Sequence, residues 1–213
     1  MGFVIRRATV DDADFIAWTI LTAQRGHRPR GWFDIALGGT EPERLAFVRQ
    51  IAAGPAMSWW HFLYFWIAEV DGAPAAELCA LPAGGTVGAA RDALETTMRA
   101  VGMPDADQAA IMQRGGYAGA CWMPGEADDW LIEHVATRPA YRNRGLTSAL
   151  LTHALAEGRA VGHRRASIVF YIGNDAAERC YAKAGFGFAE EKRDPDFEAL
   201  TGAAGFRRFE RAV

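Results

Sequence analysis

A chain of 213 residues, half of them hydrophobic and about a quarter charged, can bury a sizeable core and has an ordinary globular composition. The formal net charge of -3 excludes the strong basic bias that nucleic-acid-binding domains usually carry. The three cysteines are widely spaced and form no C-x-x-C pair, which argues against a disulfide framework or a zinc site and favours buried reduced thiols.

Nothing in the sequence marks the protein for secretion or for a membrane. The apolar block at 2–5 is short and two arginines follow it, unlike a secretory signal. The longest apolar run, at 59–70, is interrupted by His61 and Glu69 and is too short to cross a bilayer. We therefore predict a cytoplasmic protein without a membrane partner.

The first half of the chain predicts a strand, two helices and a hairpin. The strand is expected at 3–7, and cap chemistry at 9–12 starts a helix through Phe15 and Leu21. A loop with a short helical piece follows at 25–39, and Pro42 starts a helix at 43–53. Runs at 59–70 and 75–81, joined by an Asp-Gly turn, predict the hairpin.

The segment 82–129 predicts two further helices, at 89–101 and 105–114, without linker-like flanks. We interpret it as a helical insertion between the third and fourth strands, which could cover a pocket or only pack on the core.

The last part of the chain alternates strands and helices. Strands are expected at 131–136, 166–172, 186–191 and 206–213, a helix at 176–184, and an acidic loop at 194–198. This alternation predicts one mixed α/β sheet in a single domain that spans 1–213.

The stretch 130–162 carries the strongest functional signal. Its apolar run is broken at Arg138-Pro139, and a basic turn, RNRG at 142–145, then leads into apolar residues at helical spacing. A strand, a basic glycine-containing turn and a helix can hold a phosphate, because free N–H groups and the helix dipole attract an anion. Solvated arginines on an ordinary strand-loop-helix are the alternative. Neither the G-x-x-x-x-G-K-[ST] loop nor the G-x-G-x-x-G loop is present.

Two pieces of the sequence stand out, VATRPAYRNRGLTSALL and, about 30 residues downstream, GNDAAERCYAKAGF. Together they resemble the acetyl-CoA-binding core of the GNAT N-acetyltransferase superfamily. In the first, RNRGLT matches the family pattern Q/R-x-x-G-x-G/A before a helix except at its last position, and the second contains N-x-x-A-x-x-x-Y-x-x-x-G-F. The resemblance covers 130–188, and it implies the GNAT-like acyl-CoA N-acyltransferase fold.

The resemblance also implies roles for individual residues. The residues that would wrap the pyrophosphate of CoA are Arg142, Asn143, Arg144, Gly145, Leu146 and Thr147. The pantetheine arm would pair with Val135, Ala136 and Thr137 as though it were another strand. Asn174 would hydrogen-bond the same arm, and Tyr181 would stand near the sulfur as general acid.

The positions of Asn174, Tyr181 and Thr147 in the sequence predict where their side chains lie. Asn174 and Tyr181 are seven residues apart, which is two helical turns, so we expect their side chains on one helix face. Thr147 departs from the pattern, which has a small Gly or Ala there, and its side chain is expected to crowd the phosphate or to cap the helix.

The general base is the least determined role. Glu133 and His134 are expected on opposite faces of their strand, and we prefer Glu133, whose burial would raise its pKa. The alternative is that Glu133 pairs with an arginine or faces water. Asp128 and Asp129 are further candidates, and together with Glu126 and Glu133 they could favour a cationic acceptor or form a solvated surface.

These implications describe an enzyme that moves an acetyl group from acetyl-CoA, as co-substrate, to a primary amine of a small molecule or peptide. No metal and no nucleic acid are expected, and a homodimer is left open. Trp32, Trp59, Trp60 and Trp122 either line the acceptor pocket or pack in the core. A non-catalytic CoA-binding regulatory domain and an acyltransferase using a longer acyl-CoA are the alternatives.

Overall fold

The computed structural model of the chain describes residues 2–84 and 86–213. Met1 and Gly85, which fall in the predicted domain and insertion respectively, lie outside the described residues. Seven strands lie in the described part, in chain order β1 (Phe3–Arg7), β2 (Phe65–Val70), β3 (Ala73–Pro82), β4 (Asp129–Thr137), β5 (Arg165–Tyr171), β6 (Gly187–Arg193) and β7 (Gly205–Ala212). The helices there are α1 (Ala13–Arg25), α2 (Trp32–Ala36), α3 (Glu41–Ala53), α4 (Thr86–Ala100), α5 (Asp105–Gly115), α6 (Leu146–Ala160), α7 (Asp175–Lys183) and α8 (Pro195–Thr201).

The strands form one mixed sheet in the order β1-β2-β3-β4-β5-β7-β6. Strands β4 and β5 run parallel, and the other neighbouring pairs run antiparallel. A parallel pair needs a crossover connection, which α6 provides here. The predicted mixed α/β sheet is confirmed.

Strand alternation divides the core between the two faces of the sheet. Phe65, Cys79 and Leu131 belong to the cluster formed with α1, α3 and α4, on what we call the α1 face. Leu78 and Ile132 belong to the cluster formed with α6 and α7, on the α6 face. Strands β3 and β4 therefore contribute to both cores, as expected of interior strands.

The segment between β3 and β4 forms the two expected helices, and both pack against the protein. Helix α4 buries Leu94 and Met98 in the α1-face cluster. Helix α5 ends against α2, where the Trp32 indole N–H donates to the Gly115 carbonyl at 2.9 Å. The apolar sides of both helices are thus packed against the rest of the protein.

Two expectations for local structure are wrong. Strand β2 begins at Phe65 and not at residue 59, because 58–64 form turns held by local bonds such as His61 N–H to the Ser58 carbonyl. The segment expected as an acidic loop forms α8, since the Asp194 carboxylate caps the helix by accepting from Phe197 N–H at 2.8 Å and Pro195 occupies the first turn. Among the helices described, none is long and apolar enough to span a bilayer.

Candidate active site

The parallel strands β4 and β5 separate part-way along their length. Within the described chain their pairing ends at Ile132 opposite Ile168. Beyond this point β4 is paired on its β3 side only. The edge of β4 that carries Val135, Ala136 and Thr137 therefore faces β5 without a described strand partner.

A β-bulge lies at the start of this open edge. Glu133 is opposite Cys79 and Ala136 is opposite Glu77, so β4 has two residues where β3 has one. His134, one of the two, has a φ of 48°, in the left-handed region that favours glycine.

The bulge changes which side chains share a face. The His134 ring stacks on Phe65 with 6.2 Å between the ring centroids, so it lies on the α1 face, where Glu133 also points. The expected alternation of Glu133 and His134 is wrong for this reason. Burial lowers the pKa of His134 to about 3, so its imidazole is neutral and a weak base near pH 7.

Glu133 lines a small cavity of about 50 Å³ on the α1 face. Burial raises the pKa of Glu133 from its ordinary 4.5 to about 7. The other residues that line the cavity are Trp59, Ala83, Trp122, Met123, Pro124, Gly125, Leu131, Ser167 and Val169. A half-buried carboxyl with such a pKa can take up a proton near neutral pH.

The four tryptophans expected near the acceptor divide into two pairs. Trp59 and Trp122 line the cavity, with 5.4 Å between their ring centroids. Trp60 is buried in the α1-face cluster, and Trp32 packs at α5. The sequence could not separate them, because residues 59 and 122 meet only in the folded chain.

The other acidic candidates do not face the cavity. Asp129 is buried, and its carboxylate binds Arg165 at 2.6 Å and accepts from Glu126 N–H at 2.9 Å. Glu126 also pairs with Arg165, at 2.9 Å, and Asp128 is exposed. The carboxylates of Asp129 and Glu126 are thus engaged with Arg165 and do not line the cavity.

Tyr181 lies on α7 in the α6-face core. Its ring packs edge-on against Phe170, with 5.4 Å between centroids, and the side chain is buried. Burial is the main cause that raises the pKa of Tyr181, and the Cys180 and Glu133 side chains add to it. The phenol therefore keeps its proton throughout the neutral range and can act only as a donor of that proton.

The predicted phosphate loop is exposed and turns twice through the left-handed region. Asn143 has a φ of 61° and Gly145 a φ of 80°, while Arg142, Arg144 and Gly145 are all exposed. Turns of this kind build concave anion sites from backbone N–H groups. The Arg142 N–H is an exception to the predicted set, since it donates to the Pro139 carbonyl.

The first turn of α6 offers free N–H groups beside this loop. The first bond of the helix runs from Ala149 N–H to the Gly145 carbonyl. In the part of the chain that the structure describes, no acceptor is found for the N–H groups of Leu146, Thr147 and Ser148. The helix start therefore has the unsatisfied donors that attract an anion.

The Thr147 side chain takes a different partner from those expected. Its hydroxyl lies 2.8 Å from the hydroxyl of Thr137 at the end of β4. The extra side chain thus joins the open edge of β4 to the first turn of α6 and does not cap the helix.

Asn174 stands at the helix end and not on a helix face. It is the N-cap of α7, with non-helical backbone angles, and its Oδ1 accepts from Ala177 N–H at 3.3 Å. The argument from two helical turns therefore does not apply to Asn174 and Tyr181. The side-chain N–H₂ of Asn174 remains a donor near the end of β5.

A groove between α6 and α7 was not found from the sequence. It encloses about 300 Å³, begins at Ser148 in the first turn of α6, and is flanked by three cationic side chains, those of Arg159, Lys183 and Arg211. These residues are far apart along the chain, so no local pattern could reveal that they meet.

Comparisons with known proteins agree with the fold. The family model described as the acetyltransferase (GNAT) family matches residues 109–186. No curated protein is similar enough to the chain to match it.

Solved structures with similar folds span the whole chain. An N-acetyltransferase from Staphylococcus aureus Mu50 has 19% identity and a TM-score of 0.69, with 98% of this chain and 100% of that chain covered. An agmatine N-acetyltransferase has 13% identity and a TM-score of 0.56, with both chains fully covered. A Drosophila melanogaster polyamine N-acetyltransferase has 13% identity and a TM-score of 0.55, also over both full chains. The chain therefore has the fold of these acetyltransferases, and part of it matches the GNAT family model.

Proposed function

We propose that this acyltransferase-fold protein transfers an acetyl group from acetyl-CoA to a primary amine of a small molecule or peptide. One observation carries the proposal. The open edge of β4 begins beside Glu133 and leads to the unpaired N–H groups of α6. A carboxyl with a pKa of about 7 thus stands at one end of a path whose other end attracts phosphate.

The residues present fit a CoA-type donor. The N–H groups of 146–148 and the exposed cations of Arg142 and Arg144 would hold the pyrophosphate. Val135, Ala136 and Thr137 would pair with the pantetheine arm along the open edge, with Asn174 donating from the β5 side. The groove between α6 and α7 continues from Ser148, and its cationic rim suits the remaining phosphate of CoA.

Acetyl-CoA would supply the activated acetyl group. Side chains of the protein would remove one proton and donate another. An alkyl ammonium titrates near about 10, so Glu133 would remove its proton directly or through water. Amide N–H groups of β4 would stabilise negative charge on the acyl oxygen. Tyr181, whose phenol stays protonated, would deliver a proton to the leaving sulfur.

One feature bears on the alternative of a purely regulatory domain. The raised pKa of Glu133 suits catalysis better than a purely regulatory CoA site. The amine class agrees with the agmatine and polyamine acetyltransferases of similar fold. The single domain, the cytoplasmic location and the homodimer stay predictions.

Calorimetry with CoA on two glycine variants tests the donor site. Gly145→Ala and Gly102→Ala each place an alanine at a positive φ, 80° and 70°, in open space. Both are expected to lose about 1 kcal/mol of unfolding free energy from the backbone alone. Only Gly145→Ala is expected to weaken CoA binding, by about tenfold.

Thiol release from acetyl-CoA over a panel of primary amines then tests the reaction. Amine-dependent thiol release that Glu133→Gln lowers by about 10²- to 10⁴-fold would support the proposal. Equal CoA affinity in both glycine variants, or no amine-dependent release, would refute the donor site or the reaction respectively.

A further inference from the structure

The cavity beside Glu133 has an unusually uncharged wall. Among the described residues that line it, Glu133 alone is ionisable, and Ser167 is the other polar side chain. Two indoles, Trp59 and Trp122, and the apolar side chains of Met123 and Leu131 make up most of the remainder. A wall of this kind favours an apolar ligand and gives a second charged group no partner.

Four carboxylates near the cavity are paired with arginines. Arg165 binds Asp129 at 2.6 Å and Glu126 at 2.9 Å, and it approaches Glu210 to 3.8 Å. Arg208 binds Glu190 at 3.0 Å and Glu210 at 3.1 Å. These carboxylates are therefore committed to arginines and do not attract a cationic ligand.

Two cationic side chains bind the segment that contains Trp122 and Pro124 and lines the cavity. Lys192 on β6 donates to the Trp122 carbonyl at 2.7 Å, and Arg208 donates to the Pro124 carbonyl at 3.1 Å. Lys192 is exposed and forms no ion pair with the described residues. A positive charge thus stands next to Trp122 at the rim, where it repels a second ammonium group.

We propose that the acceptor is a monoamine carried on an apolar arm, and that the Lys192 charge and the indole wall together reject diamines and polyamines. The inference rests on the proposed function, since it assigns this cavity to the acceptor. The reactive amine would meet Glu133, and the apolar arm would lie along Trp59 and Trp122. A distal ammonium would lose hydration there without gaining a carboxylate.

Hexylamine and 1,6-diaminohexane test the inference, because they share the reactive amine and the arm and differ in the distal charge. We expect kcat/KM for hexylamine to exceed that for the diamine by at least about tenfold, although the diamine has two reactive ends.

Lys192→Glu is expected to lower this ratio by about tenfold, because it places an anion at the rim. Arg49→Glu, an exposed position on α3 that lines neither of the cavities described, makes the same change in net charge and is expected to leave the ratio unaltered.

The outcomes separate the two proposals. A diamine that equals or exceeds hexylamine, or a ratio that Lys192→Glu and Arg49→Glu change alike, overturns the monoamine inference while the acetyltransferase proposal stands. Failure of both amines and of the wider panel, in protein that still binds CoA, overturns the proposed amine acetylation itself.

Discussion

Replacement of Glu133 by glutamine tests the proposed base in two independent measurements. Glutamine keeps the shape of the side chain and removes its titration. Because the wild-type carboxyl has a pKa of about 7, its ionised fraction rises through the neutral range. We expect kcat/KM for an amine to rise with pH as Glu133 ionises and again as the amine loses its proton near about 10.

The variant should lose the first rise and keep the second. Removal of a general base typically lowers the rate by about 10²- to 10⁴-fold. Steady-state thiol release, measured at on the order of ten pH values between 5.5 and 9, distinguishes the first rise in kcat/KM from the second. If Glu133→Gln keeps the limb near pH 7, another group is the base and the assignment is refuted.

The same carboxyl makes a prediction for stability. Its pKa rises from 4.5 to about 7 on folding, and each unit corresponds to about 1.4 kcal/mol, so about 3 kcal/mol is at stake. A raised pKa in the folded state favours the protonated form. This contribution is therefore fully present below pH 4.5 and is lost as the pH rises to about 7.

Urea unfolding of both proteins at pH 5 and pH 8 measures this term, since other titrating groups cancel in the comparison. The unfolding free energy of the wild type should fall relative to Glu133→Gln by up to about 3 kcal/mol between these conditions. Parallel changes in the two proteins would show that the carboxyl is not desolvated in the folded state.

Three further predictions concern positions outside this carboxyl. Tyr181→Phe is expected to lower kcat and to spare CoA affinity, because it removes only the hydroxyl from a packed ring; rates and calorimetry check this. Thr137→Val and Thr147→Val should each lower the free energy of urea unfolding by about 1 kcal/mol. The double variant should lose about the same amount, since the two hydroxyls share one hydrogen bond. Additive losses would contradict this pairing. In thermal unfolding, Gly158→Ala should destabilise by about 1–3 kcal/mol, because its Cβ would lie 2.7 Å from an indole on β4, whereas Gly88→Ala has open space and should stabilise by about 0.5–1 kcal/mol.

The sequence predicted those features that depend on neighbours along the chain. Helix α6 follows from apolar spacing after a proline and a glycine, and β4 and β5 follow from short apolar runs. Helix α8 also had a local signal, the Asp194-Pro195 cap, which the acidic character of the segment obscured.

The features that shape the site depend on pairing between distant strands. The bulge at His134 exists only because β3 and β4 pair across a segment of more than 40 residues. The cavity likewise needs Trp59 and Trp122 on one side of the sheet, and the groove needs Lys183 and Arg211 beside α6. The spacing of residues along the chain contains no information about contacts between residues that are distant in sequence.

Because β4 separates from β5, the backbone amides in the two parts of β4 should exchange with solvent at different rates. Residues 130–132 of β4 are paired with strands on both sides, so their amides should exchange with solvent deuterium only through large openings of the sheet. The last residues of β4 are held on one side, and small local fluctuations should suffice for exchange there. Glu133 lies where these two parts of β4 meet, so the proposed base adjoins a segment of backbone whose amides should exchange more readily.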